Sequence, residues 1–262
     1  MSKAVLPDKS LGQHWLFDDA ALQHIVDFAD VTAADTVFEI GPGKGPLTRV
    51  LLKRGAQVTA LEFDAALARG LKLSMTSKNL NVMHGDILHY DFSTLPAGYK
   101  VVANVPYYIT SKIVRLLLES NHPPKSATLL VQKEVAERLA AEPGSMSLLS
   151  VSAQFYANIS LGAVVGRELF EPAPKVDSQV VKLDYTGAKF TDIDQKLFFR
   201  VVKAGFAERR KKLRSSLAGG LHLEKSTIDA MLQTLGIALE VRAQELTLEQ
   251  WHMLTRYLAK AL

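Results

Sequence analysis

Residues 36–46, Thr-Val-Phe-Glu-Ile-Gly-Pro-Gly-Lys-Gly-Pro, place a short apolar run directly before a glycine-rich loop. The apolar run predicts a buried β-strand, and residues 46–54 have the apolar spacing of a helix. Glycines at such a turn let the backbone bend tightly and approach a ligand without a clash from Cβ. The stretch predicts a strand, a loop and a helix in succession, where the loop is either a binding site or only a tight turn.

The same alternation continues along the first two thirds of the chain. Residues 145–156 predict a further helix, and residues 179–185 predict a late strand, antiparallel at the edge of the sheet. Four more short apolar segments predict strands: Gln57–Leu61, Asn81–His84, Lys100–Ala103 and Thr128–Val131. This alternation predicts an α/β fold with a parallel sheet covered on both faces.

The β pattern ends near Thr186 and Gly187, which predicts a domain boundary at that point. Beyond it, helical patterns cover about 193–204, 208–217, 226–235 and 248–262. We therefore predict two domains, residues 1–186 and a small helical domain of residues 187–262.

The composition is that of a folded globular protein, with 48% hydrophobic and 22% charged residues. The absence of cysteine excludes a thiolate zinc site, an iron–sulfur cluster and a cysteine nucleophile. The seven histidines lack the spacing of a metal site, so we expect no metal. No apolar run approaches the roughly 18 residues of a membrane helix, and the first residues lack the pattern of a signal peptide. We expect a cytoplasmic protein without a membrane partner.

The positive charge is concentrated in the last part of the chain. Residues 1–186 hold 18 Lys and Arg against 19 Asp and Glu, whereas residues 187–262 hold 13 against 8. On a helix over 208–217, Phe206, Leu213 and Leu217 would form an apolar stripe that leaves the cations facing outward. Five of the six residues 209–214 are basic: Arg209, Arg210, Lys211, Lys212 and Arg214. We expect this segment to contact phosphates of a nucleic acid, the alternative being a merely solvated charged face.

Polar residues close the next three predicted strands. Glu62 ends the second strand, where a carboxylate can accept both hydroxyls of a ribose, and Asp86 ends the third, where it can accept from an adenine amino group. Asn104 ends the fourth strand. Because the carboxyl ends of parallel strands meet at one edge of a sheet, we expect one nucleoside-type site there. A NAD(P)-dependent reductase would share the loop and Glu62, although the spacing G-x-G-x-G is not the dinucleotide pattern.

Asn104-Val105-Pro106-Tyr107 indicates the reaction. An exocyclic adenine amine is a poor nucleophile, and hydrogen-bond acceptors for its hydrogens favour a pyramidal nitrogen with an available lone pair. The Asn104 side-chain oxygen and the Val105 carbonyl can be those acceptors, while Pro106 stiffens the turn. Tyr107 offers a flat face on which a flipped-out base can stack. The alternative is a strand end with a core tyrosine.

The loop, with Glu39 before its glycines, resembles that of the S-adenosylmethionine-dependent methyltransferases. The segment NVPYYIT is similar to the N-[LIV]-P-Y motif of the rRNA adenine N6-dimethyltransferases, and the resemblance extends along nearly the whole chain. It is carried further by segments 9–16 (KSLGQHWL), 37–48 (VFEIGPGKGPLT), 132–138 (QKEVAER), 169–178 (LFEPAPKVDS) and 206–214 (FAERRKKLR). The last two segments resemble the housekeeping small-subunit branch rather than the large-subunit enzymes that confer macrolide resistance.

This resemblance implies a Rossmann-like, doubly wound methyltransferase sheet with a small all-helical C-terminal domain. It implies that Phe170 faces Tyr107 across the target adenine, and we expect Lys175 to contact the RNA backbone. It also implies a set of residues that bind S-adenosylmethionine: His14, Leu16, Gly41, Gly43, Glu62, Asp86 and Asn104. Position 14 is often Asn in the family, and Trp15 stands where Phe is usual.

The substrate implied is the small ribosomal subunit, with two adjacent adenosines in the 3′-terminal hairpin loop of its rRNA each methylated twice. We expect the enzyme to act as a monomer. Three alternatives are a large-subunit rRNA adenine methyltransferase, a mainly non-catalytic ribosome-assembly factor and a DNA adenine methyltransferase.

Overall fold

The computed structural model describes residues 14–208 and 210–261. Strands and helices alternate through most of the first 185 residues. In chain order these elements are β1 (Trp15–Leu16), α1 (Asp19–Phe28), β2 (Thr36–Ile40), α2 (Pro46–Lys53), β3 (Gln57–Glu62), α3 (Ala65–Ser74), β4 (Leu80–His84), β5 (Lys100–Asn104), α4 (Thr110–Leu118), β6 (Ser126–Gln132), α5 (Lys133–Leu139), α6 (Leu148–Tyr156), β7 (Ala157–Val165), β8 (Phe170–Glu171) and β9 (Ser178–Tyr185). Among the described residues after β9 the regular elements are helices: α7 (Gln195–Phe206), α8 (Leu213–Leu221), α9 (Lys225–Thr234) and α10 (Leu248–Ala261).

Seven strands form one sheet in the order β4-β3-β2-β5-β6-β9-β7. The five strands from β4 to β6 are mutually parallel, which confirms the predicted α/β fold. The chain continues from β2 to β3 on one side and reaches β5 on the other, so the strand order reverses at β2. In open α/β sheets ligands bind at such a reversal, beyond the carboxyl ends of the strands.

The far side of the sheet differs from the prediction. Strand β9 is antiparallel to β6, as expected, but β7 lies beyond it and forms the edge. The prediction did not include β7, although residues 157–161 alternate apolar and polar side chains; Gly162 ends this alternation after five residues. A separate two-stranded sheet pairs β1 with β8, setting Leu16 opposite Phe170.

Contacts divide the chain into two compact units. The first, which we call the sheet unit, comprises residues up to Ala136 together with Asn158–Tyr185, and the second, the helical unit, comprises Glu137–Ala157 and Thr186–Leu262. The chain passes from the sheet unit to the helical unit between Tyr185 and Thr186, and residues 145–156, which were predicted within the first domain, belong to the helical unit. The reason is aromatic packing: the Phe155 ring lies 4.6 Å from that of Phe198 and 5.2 Å from that of Phe199.

The helix predicted over 208–217 is wrong in its first half. Helix α7 ends at Phe206 and α8 begins at Leu213, so Phe206 and Leu213 lie on different helices rather than on one apolar stripe. The two helices pack closely, since a Cβ atom on Gly220 would lie 2.6 Å from Cβ of Ala204. Of the basic segment, Arg210, Lys211 and Lys212 lie in the connection between the two helices, whereas Arg214 belongs to α8.

No helix in the described parts of the chain is long and apolar enough to cross a membrane.

Candidate active site

A cavity of about 310 Å³ opens at the carboxyl edge of the sheet unit. The loop after β2, the ends of β3, β4 and β5, and the β1 segment all contribute to its wall. Nearly all of the predicted cofactor-site and catalytic residues line it, namely His14, Leu16, Gly41, Gly43, Glu62, Asp86, Asn104, Val105, Pro106 and Tyr107. Residues separated by up to 93 positions in the sequence are thus brought to one site.

The glycine loop needs glycine at Gly43 for two reasons. Its φ angle of +57° lies in the left-handed region, which is strained for other residues. A Cβ atom there would also lie 2.8 Å from Nε1 of Trp15, which covers the loop from β1. The Lys44 ammonium lies 3.9 Å from the centre of a Trp15 ring, a cation–π contact that ties β1 to the loop. At Gly41 the φ angle of +66° is the constraint, because a Cβ would meet nothing within 4 Å.

Two buried carboxyl groups stand side by side behind this loop. Glu62 is 5% exposed, and its two oxygens accept from the backbone N–H groups of Gly43 and Asp64, each at 2.9 Å. Glu39 is 1% exposed and accepts from the Thr48 hydroxyl at 2.7 Å. Burial raises the pKa of Glu62, and burial together with the nearby Glu62 charge raises the pKa of Glu39 to about 8.

Asp86 provides a third carboxylate at the end of β4. It accepts from the backbone N–H of Leu88 at 2.9 Å and lies 3.1 Å from Nδ1 of the exposed His89. The carboxylates of Glu62 and Asp86 keep lone pairs beyond these bonds, because each oxygen can accept more than one hydrogen. The site therefore fits a nucleoside cofactor with hydroxyl and amino donors and a positive charge, as S-adenosylmethionine has.

Asn104 is oriented by the segment that crosses above it. Its Nδ2 donates to the backbone carbonyl of His14 at 3.1 Å. One of the two amide hydrogens is thereby used, and this orientation leaves Oδ1 as the atom that can accept from a ligand. Val105 and Pro106 follow at the cavity wall, with Val105 N–H donating to the Leu130 carbonyl at 3.4 Å.

Tyr107 is held at both its ring and its hydroxyl. The hydroxyl lies 2.6 Å from Oγ of the buried Ser178, and either atom can be the donor. The His14 ring stacks with the Tyr107 ring at 5.7 Å and 21°, while His14 Nδ1 lies 2.7 Å from the Pro172 carbonyl. Burial raises the pKa of Tyr107, so its phenol stays neutral. The predicted site omitted Ser178, although it ends the quoted segment LFEPAPKVDS.

Phe170 does not take the position expected of it. It is 5% exposed, belongs to the hydrophobic core beside Leu16 and Val180, and does not line the cavity. Phe170 pairs with Leu16 in the β1–β8 sheet, and its side chain packs in the hydrophobic core. Among the described residues there is no ring contact between Phe170 and Tyr107. Lys175 is exposed in the loop between β8 and β9 and lies outside the cavity wall.

Three cations of the basic segment form ion pairs with acidic residues of the chain. Lys211 pairs with Glu208 at 2.6 Å, Lys212 pairs with Glu240, and Arg214 pairs with Asp229 at 3.2 Å. Arg210 is exposed and has no ion pair within the described residues, while Arg209 lies outside them. The pairs of Lys211 and Lys212 are exposed, and such surface pairs contribute only about 0–1 kcal/mol, so a phosphate can exchange for the acidic partner there. The Arg214–Asp229 pair is more buried.

Within the residues that the structure describes, no group of three or more His, Asp or Glu side chains is placed to hold a metal ion.

Comparisons with known proteins agree over most of the sequence. A model of the family described as ribosomal RNA adenine dimethylase matches residues 7–260. The ribosomal RNA small subunit methyltransferase A of Dehalococcoides mccartyi is 42% identical over 255 residues, covering 94% of this chain and 86% of that protein. The protein of the same name from Alkaliphilus oremlandii is 38% identical over 265 residues, covering 97% and 92%.

Two solved structures also resemble this one. A dimethyladenosine transferase from Plasmodium falciparum has a TM-score of 0.80 at 26% identity, and the match covers 94% of this chain and 97% of that one. The 23S rRNA methyltransferase ErmE has a TM-score of 0.75 at 28% identity, with 94% and 99% covered.

Proposed function

This chain belongs to the ribosomal RNA adenine dimethylase family, and from that premise we propose that it dimethylates N6 of two adjacent adenosines in the 3′-terminal hairpin loop of small-subunit rRNA. The methyl donor of the family is S-adenosylmethionine. The proposal is based on one observation: Asn104–Tyr107 line the same cavity as Glu62 and Asp86.

The choice of the small subunit rests on similarity. The relatives named small subunit methyltransferase A are 38–42% identical, whereas the 23S rRNA methyltransferase is 28% identical over the same share of the chain. We infer that the small subunit and its rRNA are the partners, and that the reaction takes place in the cytoplasm.

The cofactor would lie along the acidic side of the cavity. Glu62 would accept from the ribose hydroxyls and Asp86 from the adenine amino group, while the loop at Gly41 and Gly43 lets the backbone come close. His14 and Leu16 would cover it from β1. S-adenosylmethionine, when bound, supplies a methyl group that is electrophilic because its sulfur is positively charged.

The target adenine would enter beside the NVPY turn. The Oδ1 atom of Asn104 and the carbonyl of Val105 would accept its two amino hydrogens and so favour a nitrogen whose lone pair points at the methyl group. Pro106 keeps this turn rigid, and Tyr107 would stack on the base. The methylated amine is acidic enough to release its proton to solvent, so the chain need not supply a strong base.

Transfer of labelled methyl groups to under-methylated small subunits tests this assignment. We expect four methyl groups per subunit from the native protein, and Asn104→Ala should lower kcat about a hundredfold because an acceptor that acts in the transition state is lost. Asn81→Ala is the matched control, since Asn81 is exposed on β4 and does not line the cavity.

Large ribosomal subunits and DNA should be tested as substrates in the same labelled-methyl assay. Equal labelling of either would contradict the proposed substrate, and an unchanged rate in Asn104→Ala would contradict the proposed chemistry.

A further inference from the structure

Tyr108 is a large aromatic side chain left exposed at the rim of the cavity. It is 62% exposed and follows Tyr107 directly in a single 3₁₀ turn, Tyr107–Ile109. Successive side chains of a 3₁₀ turn point about 120° apart, so the two tyrosines face different directions. Tyr107 is held inside by Ser178, whereas Tyr108 lines the cavity from its open side.

Lys112 stands four residues further on, in helix α4, and lines the same cavity. Its side chain is exposed, as that of Tyr108 is. Within the described residues, neither side chain has a hydrogen bond, an ion pair or a ring contact. An exposed aromatic ring and an exposed cation thus line the same cavity, each without a partner among the described residues.

The charges around the cavity decide what this pair can bind. Glu62 and Asp86 lie at the end of β3 and just beyond β4, and as carboxylates of the cavity wall they repel a phosphate. Lys112, in α4, is a cation of the cavity wall and attracts one. A flat apolar face beside a cation is the combination that binds single-stranded nucleic acid, by base stacking and a phosphate contact.

We propose that Tyr108 and Lys112 form a binding subsite for the nucleotide next to the target adenosine, whose base stacks on Tyr108 while its phosphate contacts Lys112. The inference rests on the proposed function, because it requires an RNA substrate with its target base in the cavity. It adds a position at the rim of the cavity at which the neighbouring nucleotide is held.

Steady-state methylation of under-methylated small subunits tests the stacking role. Tyr108→Ala should raise KM about tenfold and leave kcat and the dissociation constant of S-adenosylmethionine unchanged. Tyr108→Phe should behave like the native protein, because stacking needs the ring and not the hydroxyl. Leu161→Ala, which removes an exposed apolar side chain of β7 outside the cavity, is the control and should change nothing.

The salt dependence tests the phosphate contact. Lys112→Gln should raise KM and reduce the slope of log KM against log salt by about one, while Lys112→Arg should keep the native slope. Lys53→Gln, at an exposed position of α2 away from the cavity, should leave both unchanged.

An unchanged KM in Tyr108→Ala, an equal loss in Tyr108→Phe, or a changed cofactor affinity would each overturn the subsite while native methylation stands. If the native protein transfers no methyl group to small subunits, the proposed function fails and the subsite falls with it.

Discussion

At the scale of single residues, Glu39 shows how the site holds a carboxyl group out of water. It is 1% exposed, hydrogen-bonded to Thr48 and close to a second buried acid, Glu62. Burial is the largest cause of its raised pKa, since an ionised carboxylate loses its hydration there. The group is therefore neutral near pH 7 in the folded protein.

This shift predicts how stability depends on pH. The pKa rises from an ordinary 4.5 to about 8 on folding, so the folded chain keeps a proton that the unfolded chain releases between these values. The contribution to the free energy of unfolding is fully present below pH 4.5 and is lost as the pH rises through 8. Glutamine stays neutral at every pH, so the free energy of unfolding of Glu39→Gln minus that of the native protein should increase by up to about 5 kcal/mol between pH 4.5 and 8. Denaturant unfolding from pH 5 to 9 without cofactor measures this difference, and a constant difference would contradict the prediction.

At the scale of elements, two adjacent glycines of α8 lie in very different surroundings. A Cβ atom on Gly220 would approach Cβ and Cα of Ala204 in α7 to 2.6 and 2.8 Å, whereas a Cβ on Gly219 would meet nothing within 4 Å. The contact at Gly220 involves backbone, which cannot move aside as a flexible side chain can. The crossing of α7 and α8 therefore depends on glycine at one of the two positions only.

These neighbours provide a matched pair of variants. Gly220→Ala should lower the free energy of unfolding by about 1–3 kcal/mol, because the two helices must separate to admit a methyl group. Gly219→Ala should raise it by up to about 1 kcal/mol, because alanine has the higher helix propensity and meets no obstacle. Thermal and denaturant unfolding measure both, and destabilisation by both variants would show that the close crossing is not the cause.

At the scale of the whole molecule, the charge divides between the two units. The sheet unit carries 17 Lys and Arg against 17 Asp and Glu, whereas the helical unit carries 14 against 10. The entire excess of +4 therefore belongs to the helical unit, even after residues 137–157 are assigned to it. A neutral sheet unit suits a cavity lined by acids, and a basic helical unit suits contacts with phosphates.

The proposed docking role of the helical unit predicts a change in salt dependence. Replacing Arg210 and Lys211 by Gln should weaken binding to under-methylated small subunits and reduce the slope of log affinity against log salt by about one to two. The pair Lys53→Gln and Lys72→Gln removes the same charge from exposed positions of the sheet unit and should leave the slope unchanged. Binding measured from 50 to 250 mM salt distinguishes them. Equal slopes for both double variants would contradict a phosphate contact by Arg210 and Lys211.

Much of the site was predictable because its signals are local. The glycine loop, the polar residues Glu62, Asp86 and Asn104 at three strand ends, and the NVPY turn each occupy a few consecutive positions. Parallel strands carry their carboxyl ends to one edge, so assigning the strands was enough to bring these residues together. The prediction of one helix over 208–217 was wrong, because a local pattern of apolar and basic residues does not show that α7 ends at Phe206 and that α8 packs closely against it.

The sequence by itself determined the strand–helix alternation, the glycine loop and the NVPY turn, because hydrophobic period and turn chemistry act between neighbours in the chain. Only the tertiary structure decided the contacts that hold the site in place: Asn104 to the His14 carbonyl, 90 residues away, and Tyr107 to Ser178, 71 residues away. It also turned Phe170 into the core and left Tyr108 exposed at the rim. Such contacts depend on which distant surfaces pack together, and packing is a property of the whole fold that no short segment carries.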